Sequence, residues 1–153
     1  MSTAEDRLAE LGLTLPSDTP PLAAYVPAVR TGNLVFTSGQ LPRINGELTH
    51  VGTVGAEVTP EQAKEAAQAC ALNAIAALKA EIGDLEKVRR VVKVVGFVAS
   101  APGFTGQPAV VNGASELLGK VFGDAGVHAR SAVGVAALPL GVPVEVEMIV
   151  EVD

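Results

Sequence analysis

The spacing of apolar residues predicts an α+β domain, a sheet with two helices on one face, and three stretches carry that prediction. After Thr59, residues Ala63, Ala66, Ala67, Cys70, Ala71, Ala74, Ile75 and Leu78 recur three and four apart, the period of a helix with one buried stripe. The run 88–99 is β-branched and apolar on nearly every position after Arg90, as in a strand covered on both faces. The run 144–152 alternates apolar and acidic residues, the two-residue period of a half-buried strand.

The other elements follow in order. Residues 4–12 carry weak helical spacing through Leu8 and Leu11, and Pro16 with Pro20-Pro21 then forces an extended connector. Residues 1–20 therefore read as an extension outside the catalytic core, and 21–153 as a single domain. Two strands are expected over 24–30 and 33–38 around the turn Thr31-Gly32-Asn33. Asn45-Gly46 marks a further turn, with a short third strand expected near Val51 to Val54. The first long helix has a complete start signal: Thr59 as cap, Pro60 in the first turn and Gln62 to close a capping box. Gly83 ends it. Its stripe is rich in alanine, so it should pack very close to the sheet. A Gly/Pro loop covers 100–107, and Pro108 starts a second helix through Val110, Val111, Ala114, Leu117, Leu118 and Val121, weakened by Gly113 and Gly119. Strands over 131–138 and 144–152 close the chain. Strands this apolar leave a sheet face that would be sticky in a monomer, which predicts self-association.

Composition narrows the function. At 153 residues, 48% of them hydrophobic and only 3% aromatic, the chain can bury one full core built mainly of Val, Leu and Ala. A net charge of −6 without a basic cluster argues against nucleic acid as a partner. Cys70 is the one cysteine, so no disulfide can form within a chain; on a helix among alanines it is expected to be buried and inert. The first ten residues are charged and lack the apolar core of a secretory signal, and no apolar run reaches membrane-span length; a soluble cytoplasmic protein is the expectation. His50 and His128 have no second ligand at metal spacing, and phosphate-binding glycine signatures are absent. Neither a metal nor a cofactor is expected.

The chemistry concentrates in residues 128–147. Arg130 stands at the mouth of an apolar run, and Glu145 and Glu147 share one face of the last strand. A guanidinium grips a carboxylate through two parallel hydrogen bonds, so Arg130 suits a small anion; it could equally be a strand-end arginine or the partner of a nearby acid. Spacing alone cannot choose among Glu145, Glu147 and Glu151 as a water-positioning base. If the last two strands formed a plain hairpin about Leu140, Arg130 and Glu145 would lie roughly 17 Å apart along the ribbon. A shared site therefore requires another strand order or a neighbouring subunit.

Several ordered motifs resemble the RidA (YjgF) family. Ala129-Arg130-Ser131, Leu138-Pro139 and Val144-Glu145-Val146-Glu147 are similar to its C-terminal signature. Upstream stand Tyr25, the strand 32–40 ending in Ser38-Gly39-Gln40, Asn73 in the first long helix and Asn112 near the start of the second. The resemblance spans about residues 20 to 152. It implies a chorismate-mutase-like fold, a homotrimer with ligand clefts between subunits, and a last strand inserted between earlier ones. It further implies Arg130 as the substrate-carboxylate arginine and Glu145 as the carboxylate that positions the attacking water. Tyr25 would line the cleft as a hydrogen-bond donor or serve as an interface aromatic. Gly39 and Ala132 would offer backbone groups, and Asn112 would orient the cleft or cap its helix. Ala132 stands where many members carry cysteine, Gly134 where a polar residue is common, and Arg43-Ile44-Asn45-Gly46 and the 99–108 loop also depart from the pattern. These changes touch the rim of the cleft.

The implied activity is hydrolytic deamination of small 2-imino or enamine acids to 2-ketoacids and ammonia. The alternatives are non-catalytic binding of a small carboxylate metabolite and, weakest on the charge balance, endoribonuclease activity, a label attached to parts of the family.

Overall fold

The computed structural model describes residues 2–17 and 24–153. Strands β1 (Ala28–Thr31) and β2 (Leu34–Thr37) form an antiparallel hairpin whose turn needs Gly32 at positive φ. Each begins and ends within a few residues of expectation. A two-residue hairpin, β3 (Arg43–Ile44) with β4 (Glu47–Leu48), turns on Asn45-Gly46, both at positive φ as a type I′ turn demands. The strand expected near Val51 to Val54 does not form. Val54 makes only isolated bridges, to Val58 and Ser100, because the chain turns at once, with the Ala56 and Val58 amides donating to the Thr53 carbonyl.

Helix α2 (Pro60–Ile82) begins at the Thr59 capping box and ends at Gly83, as its signals required. Strand β5 (Val88–Ala99), helix α3 (Gln107–Phe122), edge strand β6 (Ala129–Val135) and strand β7 (Val144–Val152) complete the fold. The five-stranded sheet runs β1-β2-β7-β5-β6, with only the β5–β6 pair parallel. The last two strands do not pair with each other. β7 enters between β2 and β5, the insertion that the family resemblance implies.

Helices α2 and α3 cover one face. β7 alternates without a break, with Val144, Val146, Met148, Val150 and Val152 buried beneath the helices and Glu145, Glu147, Ile149 and Glu151 on the other side. The alanine stripe of α2 is fully buried, as expected. Glycines bring α3 equally close. A Cβ at Gly96 would meet the Val111 side chain, and one at Gly113 would overlap the Lys64 carbonyl of α2. Gly113, which by propensity weakens α3, is where the two helices touch.

Among the described residues no helix covers the opposite face. Register rows run across it: Val29, Phe36, Ile149 and Lys93; Glu147, Val95 and Ser131; Glu145, Phe97 and Val133. Val29, Phe36 and Val133 are 53%, 41% and 44% exposed, so the apolar face expected from the strands is bare in a single chain. Residues 4–10 of the N-terminal segment form helix α1 (Ala4–Glu10), opened by a capping box at Thr3. Ala4 and Leu8 join the main buried cluster, Arg7 donates to the Val121 carbonyl, and the Ala4 amide donates to Glu86. Leu11 stays exposed.

Gly113→Ala is expected to destabilise the fold by about 1–3 kcal/mol, since backbone cannot yield as a side chain can. Gly119, in the same helix with open space around it, should instead gain about 0.5–1 kcal/mol on substitution by alanine. Denaturant midpoints of the two variants test the contrast.

Candidate functional site

The sequence candidates fall into two groups at different places on the chain. The first group lies where α3 meets β6. Pro108, Asn112 and Ser115 stand four and three residues apart and so share one side of α3. Arg130 reaches that side from β6. Its Nη1 donates to Asn112 Oδ1 at 2.8 Å and to Ser115 Oγ at 3.2 Å, and its Nη2 donates to the Pro108 carbonyl at 3.3 Å. Among the described residues Arg130 has no acidic partner; the ion pairs there are Lys64–Glu116, Lys79–Glu5 and Arg89–Asp153. Three neutral acceptors thus hold a permanent positive charge. They use both Nη1 hydrogens and one on Nη2, which leaves Nε–H and one Nη2–H without a partner among the described residues. Two donors on one planar group are what a carboxylate takes.

Asn112 does not cap α3. The cap position is Gly106, and no side chain caps there; Asn112 lies a turn and a half inside the helix and serves Arg130. Ala132 follows Arg130 on the same side of β6, partly buried against the core. β6 ends the sheet, so its outer edge carries unpaired backbone groups. At Gly134 a Cβ would sit 2.8 Å from Gln107 Nε2 and 3.0 Å from Ser100 Oγ, so a side chain there would displace the Gln107 amide from Ser100.

The second group gathers around Glu145. Gln40 bridges Val146 by two backbone hydrogen bonds, which brings Gly39 against the Glu145 side chain. A Cβ on Gly39 would overlap the Glu145 carboxylate, so glycine leaves the space that carboxylate occupies. The Ser38 amide donates to the Pro27 carbonyl at 2.7 Å and its hydroxyl to Val26 at 2.6 Å, holding the approach to β1 beside Gly39. Tyr25, 53% exposed, stands at the start of that approach. Asn73 of α2 secures the following loop by donating to the Leu41 and Arg43 carbonyls. Burial pushes the Glu145 carboxyl up from its ordinary value, and the charge of Glu147 on the same face raises it further. Burial likewise raises the Cys70 thiol well above its usual value, consistent with an inert cysteine.

One chain does not bring the groups together. Arg130 is in register with Val94 and Met148, in the layer beneath the helices, whereas Glu145 is in register with Phe97 on the bare face. Three residues and two strand spacings separate them, about 10 Å along and about 10 Å across, on opposite sides of the sheet. Two surface depressions were found elsewhere: one of about 380 Å³ between α2 and α3, lined by Glu61, Lys64 and Lys120, and one of about 150 Å³ on the bare face, lined by Phe36, Lys93 and Glu147. Neither contains Arg130 or Glu145. Among the described residues no cluster of three His, Cys, Asp or Glu could hold a metal ion, and no helix is long and apolar enough to cross a membrane.

Ser115 escapes the sequence reading, and His128 enters it only as a metal ligand that is set aside. His128 Nε2 lies 2.9 Å from Ser115 Oγ and its Nδ1 lies 2.6 Å from the Gly126 carbonyl. The signal for Ser115 was present, since it falls one turn after Asn112 on the same helix side. His128 gave none beyond its nearness to Arg130.

A mixed sheet backed by two helices, with its last strand inserted between β2 and β5, is a fold of the YjgF type. The chain belongs to the family described as "YjgF/chorismate mutase-like, putative endoribonuclease", whose model matches residues 5–152. It is 46% identical to Protein TCP17 of Trypanosoma cruzi over 149 residues, 95% of this chain and 92% of that protein. A shorter match, 47% identical over 47 residues, covers 29% of this chain and 37% of the 3-aminoacrylate deaminase RutC of Acinetobacter baylyi. Among solved structures, the protein Atu1372 of Agrobacterium tumefaciens, of unknown function, superposes with a TM-score of 0.92 at 49% identity, covering 99% of this chain and 94% of that one. The Escherichia coli YjgF gene product superposes at 0.61 with 29% identity over 86% and 91% of the two chains.

Because its neutral form is favoured on folding, Glu145 contributes stability that is complete below the usual carboxylate range and is lost as pH rises through its raised value. Glu145→Gln removes that loss. Its thermal midpoint should match that of wild type below about pH 4 and exceed it near about pH 8. Gly39→Ala meets only the end of a flexible side chain, so its midpoint should hardly move while the Glu145 carboxylate swings aside.

Proposed function

We propose that this protein hydrolyses small 2-imino or enamine acids to 2-ketoacids and ammonia, in clefts formed between the subunits of a homotrimer. The observation that carries the reading is Arg130: a guanidinium fixed by three neutral acceptors and still holding two donors for a carboxylate. Glu145, half-buried with a raised proton affinity, suits a group that orients water toward an imine carbon and takes up its proton. The nitrogen then leaves as ammonia when the tetrahedral adduct collapses. An imine carbon is already electrophilic, so placement and one proton relay are enough for the step. Tyr25 and Gly39 belong to the Glu145 half of the cleft, Asn112 and Ala132 to the Arg130 half.

Two facts support a shared cleft. The halves face away from each other in one chain, and the bare sheet face carrying Phe36, Val95, Phe97 and Val133 needs a cover. Assembly through that face answers both needs. The partial likeness to RutC, a 3-aminoacrylate deaminase, supports the substrate class, since 3-aminoacrylate is itself an enamine acid. So does the fold shared with Escherichia coli TdcF, whose structure holds bound serine, at 25% identity and a TM-score of 0.61 over 88% and 92% of the chains.

Coupling an amino-acid oxidase to ketoacid detection tests the activity. Arg130→Ala should lower kcat/KM for carboxylate imines by about 100-fold or more, the worth of two charge-assisted hydrogen bonds. Glu145→Gln should lower kcat by about 10²–10⁴-fold. In wild type the acid limb of the rate profile should lie above the ordinary carboxylate range, because Glu145 must be ionised to act. Unfolding the two variants together and refolding them as mixed trimers should restore about a quarter of wild-type activity, since a randomly mixed ring pairs an intact Arg130 with an intact Glu145 that often. No restoration would place each site within one subunit. Ketoacid binding dependent on Arg130 without any turnover would leave a metabolite-binding protein instead.

A further inference from the structure

We propose that Ser115 and His128 are positioning residues that hold the Arg130 guanidinium in its carboxylate-binding attitude, an inference that rests on the reading above for what Arg130 grips. The polarity of the chain of contacts is fixed at both ends. A guanidinium only donates, so Ser115 Oγ accepts from Arg130 Nη1 at 3.2 Å. A carbonyl only accepts, so the 2.6 Å contact to Gly126 puts the proton of neutral His128 on Nδ1. Nε2 is then a bare lone pair, 2.9 Å from Ser115, and takes the hydroxyl proton. Each hydrogen has one destination, and the Ser115 lone pair is left pointing at Nη1.

The anchor at the far end is rigid. A Cβ on Gly126 would overlap the Leu118 carbonyl, so the turn Gly123–Gly126 lies directly on α3. Gly126 is buried there. The path runs from α3 through Gly126 and His128 and returns to α3 at Ser115, closing a loop around the start of β6. Asn112 and Pro108 hold two more hydrogens of the guanidinium from the same helix, one on Nη1 and one on Nη2. Without Nε2 the hydroxyl has no set acceptor, and Nη1 loses one of its two supports. The group could then turn about its own bonds, and two donors that point together would do so only part of the time.

The two functions of the imidazole can be separated. In His128→Asn the side-chain amide nitrogen can still serve the Gly126 carbonyl, but nothing reaches Ser115. In His128→Gln the longer side chain places a carbonyl oxygen near the position of Nε2 and can accept from Ser115. A residue that merely held the turn would tolerate Asn better than Gln; a positioning residue requires the reverse.

The test uses the whole protein, with nitrogen-15 spectroscopy and calorimetric titration of pyruvate. Only two histidines are present, so His128 is assigned by loss of its signals in the variants. Wild type should show His128 protonated on Nδ1 and bare on Nε2, with slow rotation of the Arg130 guanidinium. Ser115→Ala and His128→Asn should speed that rotation and weaken pyruvate binding about tenfold, the worth of one hydrogen bond to a charged group. His128→Gln should recover most of both. KM for carboxylate imines should rise in step, with kcat changed less. Unchanged rotation in Ser115→Ala, or Asn outperforming Gln, overturns the inference. Wild type that binds no pyruvate would count against the carboxylate reading alone, since the tautomer and the rotation still decide whether Arg130 is held in this way.

Discussion

β7 is hydrogen-bonded along both edges, to β2 on one side and β5 on the other, and it places Val, Met and Val under the helices with no break in alternation. A slip of one residue would turn Glu145, Glu147 and Glu151 into the core and expel five buried apolar side chains. Burying an unpaired carboxylate costs several kcal/mol, and each lost apolar side chain costs about 1.5–3 more, so the register is fixed far more firmly than any single contact could fix it. That register decides which face carries the carboxylates. It also carries Val146 to Gln40, and so sets Gly39 against Glu145. The core of the fold and one half of the candidate site therefore have a single cause.

The same insertion explains why the halves lie apart. With β7 central, β6 is left at the edge, and Arg130 emerges there on the helix side while Glu145 faces away. A sheet with one covered face holds its apolar surplus on the other, in Val29, Phe36, Val95, Phe97 and Val133. Copies packed through that face would remove these side chains from water and enclose Glu145 further. Enclosure would strengthen the desolvation that already raises its carboxyl, and would make its charge available to a bound substrate rather than to solvent. Assembly and reactivity are in this sense one proposal.

What could be read from the chain was local. The capping box at Thr59, the glycine at 83 and the alternation after Val144 each state their element without reference to anything distant, and α2 and β7 have the expected bounds. The order of strands could not be read, because the period of a strand says which face is buried and nothing about its neighbour. The separation of Arg130 and Glu145 in a plain hairpin left another order or a second subunit open, and the family resemblance alone implied the inserted last strand. The hairpin Arg43–Leu48 was too short for a period to register, although its Asn-Gly turn was visible. Arg130 stood out from its setting at the mouth of an apolar run and gained its role from the resemblance, whereas Glu145 and Asn112 rested on the resemblance. Ser115 lies three residues after Asn112 on the same side of α3, a relation that only the contact with Arg130 made significant. His128 acts across a turn through a hydrogen bond to a backbone carbonyl, and no sequence pattern encodes that.

The glycines of and around α3 show how packing becomes chemistry. Gly113 lets α3 rest against α2, Gly96 lets it sink onto β5, and Gly126 lets the following turn close over it. Each approach is permitted only by the missing Cβ, and together they seat the helix against α2, β5 and the turn that follows it. Arg130 takes its three hydrogen bonds from this one helix, at Pro108, Asn112 and Ser115. A displacement of α3 by even an ångström would carry all three acceptors together and move the guanidinium with them, whereas a shift of any single acceptor would be resisted by the other two. The attitude of Arg130 is thus set by the close packing of α3, and glycine, the weakest residue for a helix interior, is what makes that packing tight enough to aim a charge.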